Sequence, residues 1–178
     1  AGLFFNDALP GGKVKVDEFF LSYKYKLVDL TIGRKQEPDL FHGLSASNKN
    51  ILWSLNARPL PGISVGTSAP FMFLPAVGLE VVWEELLMEK NRHIPRTRLH
   101  HKSLHLLFKP GGEWQLKLGL QHFAQWGGVS PEWGAQPEGF TDYLRIISGR
   151  QGGEGALQGD IDNSLGNHLG SWELEFTR

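Results

Sequence analysis

The run HLLFKPGGEWQLKLGLQ, residues 105–121, constrains the fold most. Leu104, Leu106 and Phe108 alternate ahead of a Pro-Gly-Gly turn. Trp114, Leu116, Leu118 and Leu120 alternate behind it. Between them fall His105, Leu107, Lys109, Gln115, Lys117, Gly119 and Gln121, mostly polar. A period of two interrupted by one short turn is the pattern of a β-hairpin with a single apolar face. It leaves open whether that face meets a soluble core or lipid.

The alternation recurs. In EFFLSYKYKLVDLTIGRK, Phe19, Leu21, Tyr23 and Tyr25 share a face against Glu18, Ser22, Lys24 and Lys26. After a tight turn near Lys26-Leu27, Val28, Leu30 and Ile32 continue the apolar side, opposite Asp29, Thr31 and Gly33. This predicts a second hairpin, whose two Tyr fit a core or an interfacial aromatic girdle. SWELEFTR predicts a last strand, with Trp172, Leu174 and Phe176 on one face. TDYLRIISGR predicts another, Tyr143 and Arg145 opposing Leu144 and Ile146. ILWSLNAR is a further candidate. Prolines at 59, 61, 70 and 75 leave room for one short strand at Ile63 to Thr67, since proline is confined to strand edges, ends and bulges. In GLEVVWEELLMEK, Leu79, Val82, Trp83, Leu86 and Leu87 fit helical spacing, while Leu79, Val81 and Trp83 fit one strand face. The Val81-Val82 pair and the β-rich context tilt it toward a strand. Roughly seven to eight strands are expected.

Residues 36–50, FAQWGGVSPEWGAQPEGF and GRQGGEGALQGDIDNSLGNHLG read as loops. Tight turns at 26–27 and 109–112 thus contrast with long connections at 36–50 and 123–140. In an up-and-down sheet these fall at opposite ends, as in outer-membrane barrels.

The chain has 178 residues, enough for one domain. Its 18 basic and 19 acidic side chains create no basic field for a nucleic acid. With no cysteine, disulfides, zinc–thiolate sites and thiol nucleophiles are excluded. The 22 glycines and 11% aromatics favour a β-rich chain with many turns. No run approaches the roughly 18 apolar residues of a membrane helix, but a membrane strand needs only about 9–11 residues with alternate ones apolar. SWELEFTR reads as a strand still running where the text stops, so a piece of a longer or processed protein is expected.

Five phrases occur in a definite order: SNKNILWSL at 47–55, RLHHKSLHL at 98–106, LGLQHFAQWGG at 118–128, FTDYLRI at 140–146 and LGNHLGSWE at 165–173. Together they resemble the capsule assembly protein family called Wzi, in its Bacteroides-like form, from about Tyr23 onward. The resemblance implies an all-β fold: an antiparallel transmembrane barrel in the bacterial outer membrane. Residues 1–178 would be one barrel segment, incomplete at both ends, with no separate soluble domain. It implies the lipid bilayer, capsular polysaccharide and other outer-membrane proteins as partners, and a role in capsule assembly by binding, without catalysis. No functional residue carries over. The competing readings are a porin-like barrel passing a small solute, a soluble β-sheet glycan-binding module and a glycan-cleaving enzyme.

Several constellations invite chemistry. His100, His101, His105 and His122 cluster in sequence, with His168 further on. On a strand His101 and His105 share a face, but their Cα atoms lie about 13 Å apart, too far to share an ion without a neighbouring strand. Polar packing is expected, and no metal. In GDIDNSLGN, Asp160 and Asp162 lack the remaining ligands of an EF-hand loop, so an Asx-rich turn is expected. Trp126 and Trp133 stand in the long loop near Gln121, Gln125, Glu132 and Gln136. An aromatic face beside amides suits a sugar, and Trp126, Trp133, Gln125 and His122 are the candidate carbohydrate-binding residues. Both Trp fit equally as loop anchors or an interfacial belt. Glu84-Glu85 and Glu132 with Glu138 are carboxylate pairs whose spatial separation decides any glycosidase role. GGKVKVD and QGGEGALQG lack the strand-to-helix context of a phosphate loop. No catalytic residue or cofactor is expected. Lys24, Lys26, Lys35 and Lys117 fall on polar faces, as in a wet lumen or on a solvated sheet.

Overall fold

The longest alternating runs all become strands. The computed structural model describes residues 2–6, 13–45, 47, 48, 50, 51 and 54–178. In chain order these carry β1 (Gly2–Asn6), β2 (Lys13–Tyr25), β3 (Val28–Arg34), β4 (Gly62–Thr67), β5 (Phe71–Leu74), β6 (Val77–Leu87), β7 (Arg98–Gly111) and β8 (Trp114–Trp126). Then follow β9 (Val129–Ser130), β10 (Gly134–Ala135), α1 (Phe140–Ser148), α2 (Gln158–Asp162) and β11 (Asn167–Thr177). The fold is all-β and antiparallel, as expected. One nine-stranded sheet runs β1-β2-β3-β4-β6-β7-β8-β11, with β5 also paired to β6, and β9 and β10 form a separate ribbon. Among the described residues the sheet does not close, and β1 and β11 are its edges.

The strand count exceeds the expected seven to eight. β1 lies in a run with no alternation to announce it. β5 lies beyond Pro70, in line with β4, because both pair with β6: Gly62 opposite Leu86, Phe71 opposite Leu79. Pro70 sits in the break between β4 and β5, where no ladder N–H is needed. The ambiguous stretch 77–87 is a strand, paired along its whole length with β7.

Several loop and strand expectations fail. TDYLRIISGR is not a strand, since Phe140–Ser148 is helical. Its alternation is too short to exclude a period of 3.6, and the ends decide. The Gly139 N–H donates to Asp142 Oδ2 at 3.1 Å. At the other end Gly149 takes φ +64° and donates to the Ile146 carbonyl at 3.2 Å, a left-handed cap that favours glycine. Tyr143 and Ile146, at helical spacing, then pack toward the sheet. The loop expected from Phe123 begins only after Trp126, and residues 158–162 form the short α2. Of ILWSLNAR, Leu52 and Trp53 lie outside the described residues, and its described residues form no strand.

Among the described residues the tight turns of the sheet (26–27, 75–76 and 112–113) lie at one end, and the long connections 35–61, 88–97 and 127–166 at the other. The turns are also staggered. Tyr25 pairs with Val28 and Val28 with Thr67; Val81, whose N–H donates to the Thr67 hydroxyl, pairs with Leu104. Tyr25 is the last residue before its turn, whereas Leu104 stands well short of Gly112. Across four strand spacings the turn end advances about six residues, about 20 Å of strand against about 19 Å of sheet width. Turns held at one level therefore need strands tilted by roughly 45°, close to the tilt in closed barrels.

Burial along the sheet is inverted. On β7, Leu104, Leu106 and Phe108 are exposed, while Ser103 and Leu107 on the opposite face are buried and His105 is half-buried. On β8, Leu118 and Leu120 are exposed while Gly119, Gln121 and Phe123 are buried. Leu21 is 71% exposed and Trp172 87%. Among the described residues the compact cores sit toward the long-connection end. On the polar face Leu86, Leu99 and Phe123 pack with Leu60 of the 35–61 connection. On the apolar face Ala124, Trp126, Ile146 and Leu165 pack with Tyr143 beneath α1. Phe123→Ala should therefore cost about 3–5 kcal/mol of unfolding free energy, and Leu118→Ala less than about 1 kcal/mol, as read by chemical denaturation in one detergent.

Candidate binding site on the polar face

Strand parity gathers one set of polar side chains from four strands. Glu84 of β6, His101 of β7 and Phe123 of β8 share a cross-strand row; Ser103, Gln121 and Ser171 form the next; Glu80, His105, Gly119 and Glu173 the one after. The His101 ring lies stacked on Phe123, centroids 4.1 Å apart. Its Nδ1 is 2.7 Å from Glu84 Oε2 and its Nε2 3.1 Å from Gln121 Oε1. Gln121 Nε2 donates to Glu173 Oε1, and His105 Nε2 stands 2.7 Å from Glu173 Oε2. This last contact crosses β8 above Gly119. A Cβ there would come within 2.4 Å of the His105 ring and 2.9 Å of the Glu173 carboxylate, so only glycine leaves the space. Lys117 pairs with Glu80, and Lys24 with Asp29 at 3.0 Å.

The 35–61 connection lies over the upper part of this face as a strap. Asn50 Nδ2 donates to Gln121 Oε1 at 3.0 Å, tying the strap to β8. Arg34 Nη1 donates to the Pro59 carbonyl at 2.7 Å, and Arg58 Nη1 meets Glu89 Oε1 at 2.6 Å. Burial raises the Glu89 carboxyl, but the Arg58 and Arg34 guanidinium groups outweigh it and hold the group below its usual value. Between strap and sheet lies a cavity of about 580 Å³. Leu86, Leu99 and Phe123 form its apolar floor, and Glu84, His101 and Gln125 its polar wall. Such a volume falls in the usual range of small-ligand sites, about 300–1,000 Å³.

No family model, curated protein or solved structure matches the chain.

The four candidate sugar residues do not converge. Gln125 lines the cavity. Trp126, one residue on, points to the opposite face, where it is 5% exposed under α1 with the Arg98 guanidinium 5.1 Å from its ring centre. His122 shares that face, its Nε2 2.8 Å from His168 Nδ1. Trp133, on the β9–β10 ribbon, is 65% exposed. Among the described residues no three His, Asp or Glu side chains gather as a metal site needs. Sequence reasoning missed Glu84 and Gln121 as site residues, although each occupies the polar parity of its strand. Asn50 carries no such signal.

Two outcomes test this geometry. Gly119→Val should break the His105–Glu173 contact and cost about 1–3 kcal/mol, whereas Gly159→Ala, with nothing within 4 Å of the added Cβ, should cost little; urea unfolding compares them. A carboxyl lowered on folding stabilises above its unfolded value, about 4.5 for Glu89, and loses that contribution as pH falls through its folded value. The stability gap between the wild type and Glu89→Gln should accordingly be greatest at neutral pH and shrink as pH falls below about 4.5.

Proposed function

We propose that this sheet is a segment of a bacterial outer-membrane β-barrel that binds capsular polysaccharide and helps organise or assemble it at the cell surface, without catalysis. One observation carries the reading: the open face of the sheet is apolar and the covered face polar. A soluble sheet packs its apolar face under a second layer. A sheet in lipid does the reverse, with apolar residues outward and polar ones toward the lumen.

Further features support it. Aromatic residues flank the tight turns on the apolar face: Tyr25, Phe108 and Trp114, with Phe176 beside Trp114 at 4.8 Å. This is the place of an interfacial girdle. The strand tilt and the separation of short turns from long connections fit the same architecture. The ordered phrases that resemble the Wzi family point to the same surface role.

Binding is favoured over passage of a solute. The polar face compensates its own charges, through Lys117 with Glu80 and Lys24 with Asp29, and the strap lies across it. At the long-connection end, the cavity offers the Gln125 amide and the Glu84 carboxylate to hydroxyls, and Trp133 offers a bare ring to the apolar side of a sugar. Weak contacts repeated along a polymer add by multivalency.

The full-length protein should fractionate with outer membranes, resist extraction by carbonate, and show no stepwise conductance in a planar bilayer. Trp133→Ala should weaken retention of purified capsular polysaccharide by about 3- to 10-fold. Recovery in detergent-free buffer would overturn the membrane reading, and unchanged retention by a variant lacking Trp133, Gln125 and Glu84 side chains the glycan reading.

A further inference from the structure

We infer that α1 is part of the membrane-facing surface, lying flat at the boundary between headgroups and acyl chains, where it covers a polar gap in the apolar face. The inference rests on the barrel reading above.

The gap is defined by strand register. Ascending from the tight turns, the apolar face of β6, β7, β8 and β11 ends at the row Val81, Leu104, Leu120 and Trp172. The next row holds Trp83, Lys102, His122 and Gly170, and the one after it Glu85, His100, Ala124 and His168. Ionisable groups facing acyl chains are expensive. Here they face α1. The Tyr143 hydroxyl accepts from Trp83 Nε1–H at 3.2 Å and donates to Glu85 Oε1 at 2.6 Å. His100 Nδ1 lies 2.6 Å from the same carboxylate oxygen. Burial and the Glu85 contact push the Tyr143 hydroxyl up to about 12, so it remains a donor. The Lys102 ammonium donates to the Ile147 carbonyl near the helix C-terminus, where a cation is favoured. His168 Nε2–H donates to the Leu165 carbonyl at 2.7 Å, which leaves its Nδ1 to accept from His122.

The other side of α1 carries two large apolar residues. Phe140 is 76% exposed and Leu144, one turn on, 45%. The charged residues of the helix neutralise each other, Arg145 with Asp142 at 2.9 Å. A loop helix surrounded by water has no use for this outward pair. A helix whose neighbours below are Leu104, Leu120 and Trp172 does, because Phe140 and Leu144 carry that apolar surface past the polar rows. Nine residues are too few to span a bilayer. With one apolar stripe exposed and the other docked, the geometry is that of an interfacial helix.

Residues 1–178 contain no cysteine, and any cysteine elsewhere in the full-length protein is first replaced by serine. Spin labels are placed at L118C, L144C and E154C in the full-length protein, returned to vesicles of lipopolysaccharide and phosphatidylethanolamine. Relaxation by oxygen, which concentrates in lipid, is compared with relaxation by a water-soluble nickel chelate. The expected result is oxygen dominance at 118 and 144 and nickel dominance at 154. Oxygen dominance at 118 with nickel dominance at 144 overturns the placement of α1 and leaves the barrel standing. Nickel dominance at 118 overturns the barrel reading, and the placement of α1 with it.

Discussion

A β-strand sends successive side chains to opposite faces, and in this chain everything depends on which face is covered. Strap and cross-strand hydrogen bonds cover the polar side; the leucines, valines and aromatics stay open. More than a dozen large apolar side chains are left about half exposed or more on the open face. At roughly 1.5–3 kcal/mol for full burial of each, the unclaimed stabilisation is on the order of 10 kcal/mol or more. That equals the net stability of an ordinary domain, about 5–15 kcal/mol. An arrangement this costly in water becomes the favoured one in acyl chains, where the opposite choice would place Glu80, Lys117 and Glu173 against lipid.

The polar face holds together for a complementary reason. A buried polar group is tolerable only with partners, and Gln121 supplies them in several directions at once. It reaches β7 through His101, β11 through Glu173 and the strap through Asn50. The network works because Gly119 leaves β8 bare where His105 and Glu173 meet. Three strands and one long connection are thereby fixed without an aliphatic core at that level. Higher up, Leu60 closes over Leu86, Leu99 and Phe123, and hydrophobic packing takes over.

Much of the sheet was legible from the sequence because alternation over a dozen residues excludes other periods. The hairpin around Gly112 and the closing strand through Trp172 are examples. The helix at 140–148 was not. Over nine residues Tyr143, Ile146 and Ile147 serve a period of 3.6 as well as Leu144 and Ile146 serve a period of two. The caps at Gly139–Asp142 and Gly149 select the helix locally, and Lys102, His100 and Glu85 add a tertiary need for cover that no local pattern announces. That Gln125 parts from His122 and Trp126 went unread for one cause. Reading a loop from Phe123 discarded parity, although continuing the strand to Trp126 places Gln125 with Gln121 on one face and His122 with Trp126 on the other. Asn50 was beyond reach, since its role depends on a strap crossing to β8.

The cavity lies at the long-connection end because only that end has chain to spare. Each tight turn spends two residues and returns at once to the ladder, leaving no side chains to enclose a volume. The 35–61 connection instead folds back over the sheet. Arg34, Arg58 and Glu89 clamp one end, and Asn50 ties the middle to Gln121. One wall of the cavity is therefore the hydrogen-bonded ladder carrying Glu84, His101 and Gln125, and the other the connection itself. A ladder fixed by its backbone pairing avoids much of the ordering cost of binding.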